Sequence, residues 1–135
     1  MLTCSEIWTL AARTLPVLDE DEEHLTIRAA RPDGELVTTV TLFPFNVFDQ
    51  DALLLIARVC PQAALSEYDA MRLSDRMDGI LALFEGGWGL RLVLPCATLD
   101  WELVVRAIQH LVQEVLVIRQ SLTRAMALCC HHLVT

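Results

Sequence analysis

Four consecutive residues near the C-terminus, Cys129 to His132, are of the two types that most often bind zinc. The sequence around them is apolar and helical, and successive residues on a helix point about 100° apart. Four adjacent side chains therefore cannot converge on one tetrahedral ion. We interpret this segment as the end of a helix, and the sequence predicts no metal site.

The glycine-rich segment Gly86 to Gly89 has the composition of a phosphate-binding loop. It lacks the Lys-Ser/Thr ending of such loops, and it leads into a strand where phosphate binding requires a helix N-terminus. We interpret Glu85 to Gly89 as a hairpin turn. Histidine occurs at four positions, and no spacing pairs one with a cysteine for nucleophilic catalysis. The sequence predicts neither an enzyme nor a cofactor.

The charge of the chain is strongly negative. Ten arginines and no lysine oppose eighteen acidic residues, which leaves a net charge of −8 over 135 residues. Because this sign repels phosphate groups, nucleic acid and anionic membranes are excluded as expected partners. Apolar residues make up 54% of the chain, enough for one compact core, so we expect a single domain over residues 1–135.

The cysteines indicate a reducing compartment. Five cysteines, none in a CxxC pair, cannot form a complete set of intrachain disulfides. We expect Cys60 and Cys96, at the ends of apolar strands, to act as small hydrophobic residues. Met1 to Leu18 lacks the basic start of a signal peptide, and charges interrupt the apolar stretch Val112 to Val134. The predicted location is the cytoplasm.

The first half of the chain predicts a helix followed by three strands. Apolar residues spaced three and four apart favour a helix over Ser5 to Thr14, and the five acids from Asp19 to Glu23 favour an exposed loop. Alternation of apolar and polar residues predicts strands at Leu25 to Ala29 and Leu36 to Phe43. Leu53 to Cys60, apolar at nearly every position, predicts a strand covered on both faces.

The second half predicts a helix, a hairpin and a long final helix. Ala63 to Met77 has helical residues, and Ile80 to Phe84 and Leu90 to Leu94 flank the glycine-rich turn. After Thr98, apolar residues recur at steps of three and four up to Leu122. The predicted class is α+β, an antiparallel sheet with helices on one side in the order α-β-β-β-α-β-β-α.

Three segments in this order of elements resemble the class I chaperones of bacterial type III secretion. Asp51 to Pro61 (DALLLIARVCP) is similar to that family's third strand, and Gly89 to Pro95 (GLRLVLP) to its last strand. Ala97 to Leu103 (ATLDWEL) is similar to the start of its final helix. The chain departs from the family in its short last hairpin turn and in the apolar segment Met126 to Val134, which replaces a polar tail.

The resemblance implies a cytoplasmic homodimer that holds the N-terminal region of a secreted effector protein in an extended form. A regulator of the same fold, which binds another chaperone or a transcription activator and controls type III secretion genes, is the alternative. The expected client surface lies on the first helix and the adjoining hairpin, at Ile7, Trp8, Leu10, Leu36, Val40 and Leu42. The expected dimer interface lies on the second helix and the strand after it, at Leu65, Met71, Leu73, Ile80, Leu81, Leu83 and Phe84.

Overall fold

The computed structural model describes residues 3–134, and within that range it describes all side chains except those of Val47 and residues 125–134. The helices are α1 (Cys4–Thr14), α2 (Glu67–Ser74) and α3 (Trp101–Val134). The strands are β1 (Val17–Glu20), β2 (Leu25–Ala30), β3 (Leu36–Val47), β4 (Gln50–Pro61), β5 (Ile80–Phe84) and β6 (Gly87–Pro95). Short 3-10 turns precede α2 and α3.

The six strands form one antiparallel sheet in the order β1-β2-β3-β4-β6-β5. The three helices pack on one face of this sheet, with α1 and α3 against β4 and α2 against β5. The predicted α+β class, with an antiparallel sheet and helices on one side, is therefore confirmed. The opposite face of the sheet carries no helix from the described residues.

The core lies between α3 and the sheet. The helical face that carries Val104, Leu111, Val115 and Ile118 is completely buried. Alternate strand residues meet it, and the inner sheet positions include Val40, Leu42, Leu55 and Leu90. The period of about 3.6 in the helix and the period of two in the strands direct these apolar side chains into one layer.

Three local predictions are corrected by the structure. Asp19 and Glu20 belong to β1, which pairs with β2 and adds a fourth strand before α2. All four residues of β1 are exposed. An exposed strand at the edge of a sheet can carry acidic side chains that an interior strand could not. The second helix is shorter than predicted, because Ser66 caps it by accepting the Asp69 N–H. The last hairpin turn contains only Glu85 and Gly86, which both have positive φ, as a tight two-residue turn requires.

Arg119 joins α3 to the sheet. Its Nε donates to the Val59 carbonyl at 2.8 Å, and its Nη1 donates to the Val37 carbonyl at 2.6 Å. Its Nη2 donates to the Arg58 carbonyl at 3.3 Å. The three carbonyls belong to β3 and β4, so a single guanidinium connects the long helix to two central strands.

We expect Arg119→Met to lower the free energy of unfolding by about 2 to 3 kcal/mol, because charged hydrogen bonds are lost and partly buried carbonyls lose a donor. Arg106→Met, on the same helix, is the matched control. Arg106 is exposed, and its one ion pair among the described side chains is with Glu102, so its removal is expected to cost about 0.5 kcal/mol or less. Urea unfolding of both variants measures the difference, and equal midpoints would contradict a structural role for Arg119.

The cysteines differ from the sequence prediction. Cys4 at the start of α1 and Cys96 after β6 form a disulfide, with their Cα atoms 6.0 Å apart. An odd number of cysteines still allows one such pair. Cys4 and Cys96 are 92 residues apart, so no local spacing in the sequence indicates that they pair. Cys60 is free, and burial raises the pKa of its thiol above its ordinary value, an effect that nearby Arg119 only partly offsets. The side chains of Cys129 and Cys130 lie outside the described residues.

The length and polarity of the helices bear on membrane association. Among the described residues, no helix is both long enough and apolar enough to cross a bilayer.

Candidate partner-binding surface

The helix-free face of the sheet carries an apolar groove of about 560 Å³, which we call the open-face groove. Its walls come from β3, β4, β5 and the loop before β2. The lining residues are Glu22, Glu23, Phe43, Pro44, Phe45, Leu54, Ile56 and Phe84. Phe43 and Phe45 alternate with Leu42 along β3, so the same strand supplies core residues to one face and groove residues to the other.

Gly89 lies between Ile56 and Phe84, two residues that line the groove. A Cβ atom on Gly89 would lie 2.6 Å from the Ile56 side chain and 3.5 Å from the Phe84 Cβ. The absence of a side chain at Gly89 therefore makes room for Ile56, whereas the contact with Phe84 would be an ordinary van der Waals contact. The rings of Phe43 and Phe84 meet edge to face, with their centroids 5.8 Å apart, the geometry that aromatic pairs prefer.

A second cavity, of about 380 Å³, adjoins the groove and is more polar. Thr26, Thr39 and Thr41 line it, and the Thr26 and Thr41 hydroxyls are hydrogen bonded at 3.0 Å. Arg58 borders it and donates from Nη2 to the Glu85 carbonyl at 2.7 Å. Ile56 and Phe84 line both cavities, so the apolar and polar regions are continuous.

Acidic residues surround the apolar groove and the polar cavity. Glu22 and Glu23 border the first, and Asp19 and Glu85 border the second. In the same loop, hydrogen bonds from the backbone N–H groups of Glu23 and His24 lower the pKa of Asp21 below its ordinary value, which favours its charged form. This rim favours a partner segment that combines apolar side chains with Arg or Lys.

Both outer strands of the sheet have an unpaired edge among the described residues. β1 exposes Val17 and Leu18 at one edge, and β5 exposes Ile80 and Leu83 at the other. Unpaired edge strands can accept an added strand through main-chain hydrogen bonds. The β1 edge adjoins the polar cavity, since Leu18 and Asp19 line that cavity.

The fold has a counterpart among solved structures. A chain in the crystal structure of the ExsC-ExsE complex matches with a TM-score of 0.58 and 22% sequence identity. The match covers 86% of this chain and 89% of that chain. The two chains share a fold. No protein-family model and no curated protein sequence matches this chain.

The structure corrects half of the predicted client surface. Ile7, Val40 and Leu42 are completely buried, because they face the helix layer and fill the core. Trp8 and Leu10 are partly exposed on α1, and Leu36 is 57% exposed at the start of β3. The first helix therefore offers a small accessible rim, but the accessible apolar surface of the hairpin is on the other face of β3.

The predicted dimer residues also divide into two groups. Leu65 and Leu81 are buried in the core of the single chain, and the partly buried Leu73 packs against that core, so they leave little surface for a second copy. Met71, Ile80 and Leu83 are exposed, at 70%, 55% and 49%. Phe84 is partly buried and turns to the open-face groove.

The open-face groove was missed because β4 was interpreted as covered on both faces. Leu54 is half-buried and Arg58 is exposed, so one face of β4 has no covering layer. One sequence signal could have revealed the groove. Phe43 and Phe45 have the opposite parity to Val40 and Leu42, which indicates aromatic residues on the face away from the core.

Proposed function

We propose that this chain is a cytoplasmic chaperone-like protein of type III secretion, which binds an extended segment of a secreted effector protein and keeps it competent for export. The observation that carries the proposal is the open-face groove with its acidic rim. The resemblance of Asp51 to Pro61, Gly89 to Pro95 and Ala97 to Leu103 to the class I chaperones supports it. The fold shared with a chain of the ExsC-ExsE complex supports it further.

The groove suits an extended partner segment. In an extended chain, alternate side chains point to the same side, so apolar residues at every second position could enter between Phe43, Leu54 and Phe84. Basic residues beside them would meet Glu22 and Glu23. The segment could continue along the β1 edge by main-chain hydrogen bonds. This mode of binding requires no covalent chemistry.

The test is to purify the protein with its bound partner from the native host and to follow that partner after deletion of the gene. An effector chaperone predicts that the bound protein is itself secreted, and that deletion abolishes its export while transcription of the secretion genes is unchanged. A regulator of the same fold predicts the opposite pattern, a retained partner and altered transcription. A bound enzyme substrate, or no change in either measurement, would refute both.

A homodimer through α2 and β5 is the second part of the proposal. Tyr68 and Met71 on α2 and Ile80 and Leu83 on β5 are large, exposed and close in the chain. Alternation places Ile80 and Leu83 on opposite faces of β5, and β5 is an open edge among the described residues, so a second copy added at that edge could cover side chains on both faces.

We expect the wild-type protein to sediment as a dimer and Ile80→Asp combined with Met71→Asp to sediment as a monomer, because buried charges without partners oppose association. Val117→Asp changes another exposed apolar side chain, on α3, and should leave the dimer intact. Sedimentation velocity at concentrations on the order of tens of micromolar decides the question. A wild-type species of 15.1 kDa that does not depend on concentration would contradict the proposal.

A further inference from the structure

Three metal-ligating side chains converge at the junction of α2, β5 and α3. His110 and Glu114 lie four residues apart on α3, and Asp78 lies in the connection between α2 and β5. The His110 Nε2 atom is 2.7 Å from Asp78 Oδ2 and 2.9 Å from Glu114 Oε1. The three donor atoms all lie within 4.8 Å of one another.

Glu114 is an acidic residue on the buried side of α3. Its residue exposure is 7%, and the neighbouring Leu111, Val112 and Val115 on the same helix are also buried. The backbone N–H groups of Asp78 and Gly79 donate to its two carboxylate oxygens at 2.9 and 3.3 Å. These bonds hold the carboxylate in a fixed orientation, as outer hydrogen bonds do for carboxylates that bind metals.

The imidazole by itself is a poor bridge between the two carboxylates. Both oxygens approach the same ring nitrogen, His110 Nε2, and one N–H cannot point directly at two acceptors. The cluster also brings two carboxylates to the same ring nitrogen at close range. A cation placed between the three donors would satisfy all of them.

We propose that Asp78, His110 and Glu114 form a binding site for a divalent transition-metal ion, with zinc as the best fit. One imidazole nitrogen and two carboxylate oxygens are a donor set that zinc accepts, at bond lengths of about 2.0 to 2.2 Å. Tetrahedral bonds of that length separate ligand atoms by about 3.3 Å. The two carboxylate oxygens each need to move away from His110 Nε2 by about half an ångström, which the exposed side chains of Asp78 and His110 permit.

The site would connect α3 to the start of β5. Asp78 lies two residues before Ile80, the first residue of that strand, so the metal would fix the end of the connection. Asp78 and His110 are open to solvent, which gives the ion an entry path and leaves room for water as the fourth ligand. The inference does not depend on the proposed partner or dimer.

His24 provides a matched comparison within the same chain. It also contacts two carboxylates, but Asp19 approaches its Nε2 and Asp21 approaches its Nδ1. The two ring nitrogens of an imidazole point in different directions, so these two carboxylates cannot share one ion with a single ring nitrogen. Among the described residues, the Asp78, His110 and Glu114 group is the one whose donors converge.

The test uses the chain with Cys129→Ser, Cys130→Ser, His131→Ala and His132→Ala, which removes the other concentrated set of zinc-ligand residue types. Calorimetric titration with zinc is expected to show one ion per chain. Asp78→Asn and His110→Gln should each weaken zinc affinity by about a hundredfold, since loss of even a supporting residue can cost that much. His24→Gln should leave the affinity unchanged.

Each outcome decides the proposal. Asp78→Asn is the safer variant, because its side chain is 76% exposed and its substitution leaves the Glu114 hydrogen bonds in place. Circular dichroism confirms that the variants are folded. Absence of zinc binding, or binding that survives in both Asp78→Asn and His110→Gln, would overturn the site. Loss of binding in His24→Gln alone would place the ion at the β1–β2 loop and would overturn it as well.

Discussion

The double variant Phe43→Ala, Phe84→Ala is expected to bind the partner segment at least about a hundredfold more weakly than the wild-type protein. Both rings line the open-face groove, and each is only partly buried by the chain itself. Burial of one large apolar side chain contributes about 1.5 to 3 kcal/mol, so loss of two contact surfaces costs a hundredfold or more in affinity. The dissociation constant for the co-purified partner, measured by calorimetry, is the readout.

Two further variants separate binding from folding. Val117→Ala truncates a half-exposed side chain on α3, away from the groove, and should leave affinity unchanged. Val40→Asp places a carboxylate in the core at a completely buried position, so it should unfold the protein and abolish binding indirectly. A double alanine variant that is folded and still binds with wild-type affinity would exclude the open-face groove as the binding surface.

Opening the bond between Cys4 and Cys96 should lower the free energy of unfolding by about 4 kcal/mol. The two cysteines are 92 residues apart, and closing a loop of that length removes much of the entropy of the unfolded chain. The bond also attaches α1 at its first turn, beside the helix face that places Ile7 in the core. Urea unfolding with and without a dithiol reductant measures the difference.

Cys60→Ser is the control, because Cys60 is free and its substitution should leave the effect of the reductant intact. Cys4→Ser should remove that effect completely. In a reducing cytoplasm the dithiol form is expected to dominate, so the same comparison measures how firmly α1 packs without the bond. A protein that has been exposed to an oxidant and whose mass still corresponds to all thiols free would contradict the disulfide.

The elements that could be predicted from the sequence depend on neighbours along the chain. In α3, apolar residues at steps of three and four from Val104 to Leu122 identified both the helix and its buried face. In β2 and β3, alternation identified the strands and showed that Val40 and Leu42 share a face, but it did not show that this face is the core. These patterns can be recognised in the sequence because the period of the backbone alone decides which side chains share a face.

The features that sequence reasoning missed depend on contacts between distant residues. β1 has no hydrophobic pattern, since an exposed edge strand is held by its pairing with β2. Which face of β3 and β4 remains open was decided by the helices, which all pack on the other side. The groove residues Phe43 and Phe84 are far apart in the chain and meet only when β5 pairs with β6 beside β4.

The polar contacts between distant residues could not be predicted from the sequence either. Arg119 reaches carbonyls about 60 and 80 residues away, Cys4 reaches Cys96, and His110 reaches Asp78 across the junction of three elements. No local spacing encodes such pairs, because chain topology sets the distance between their side chains. The sequence alone specified the class of the fold and its helices and strands other than β1. Packing of the helices on one face of the sheet decided where the open surface and the convergent side chains lie.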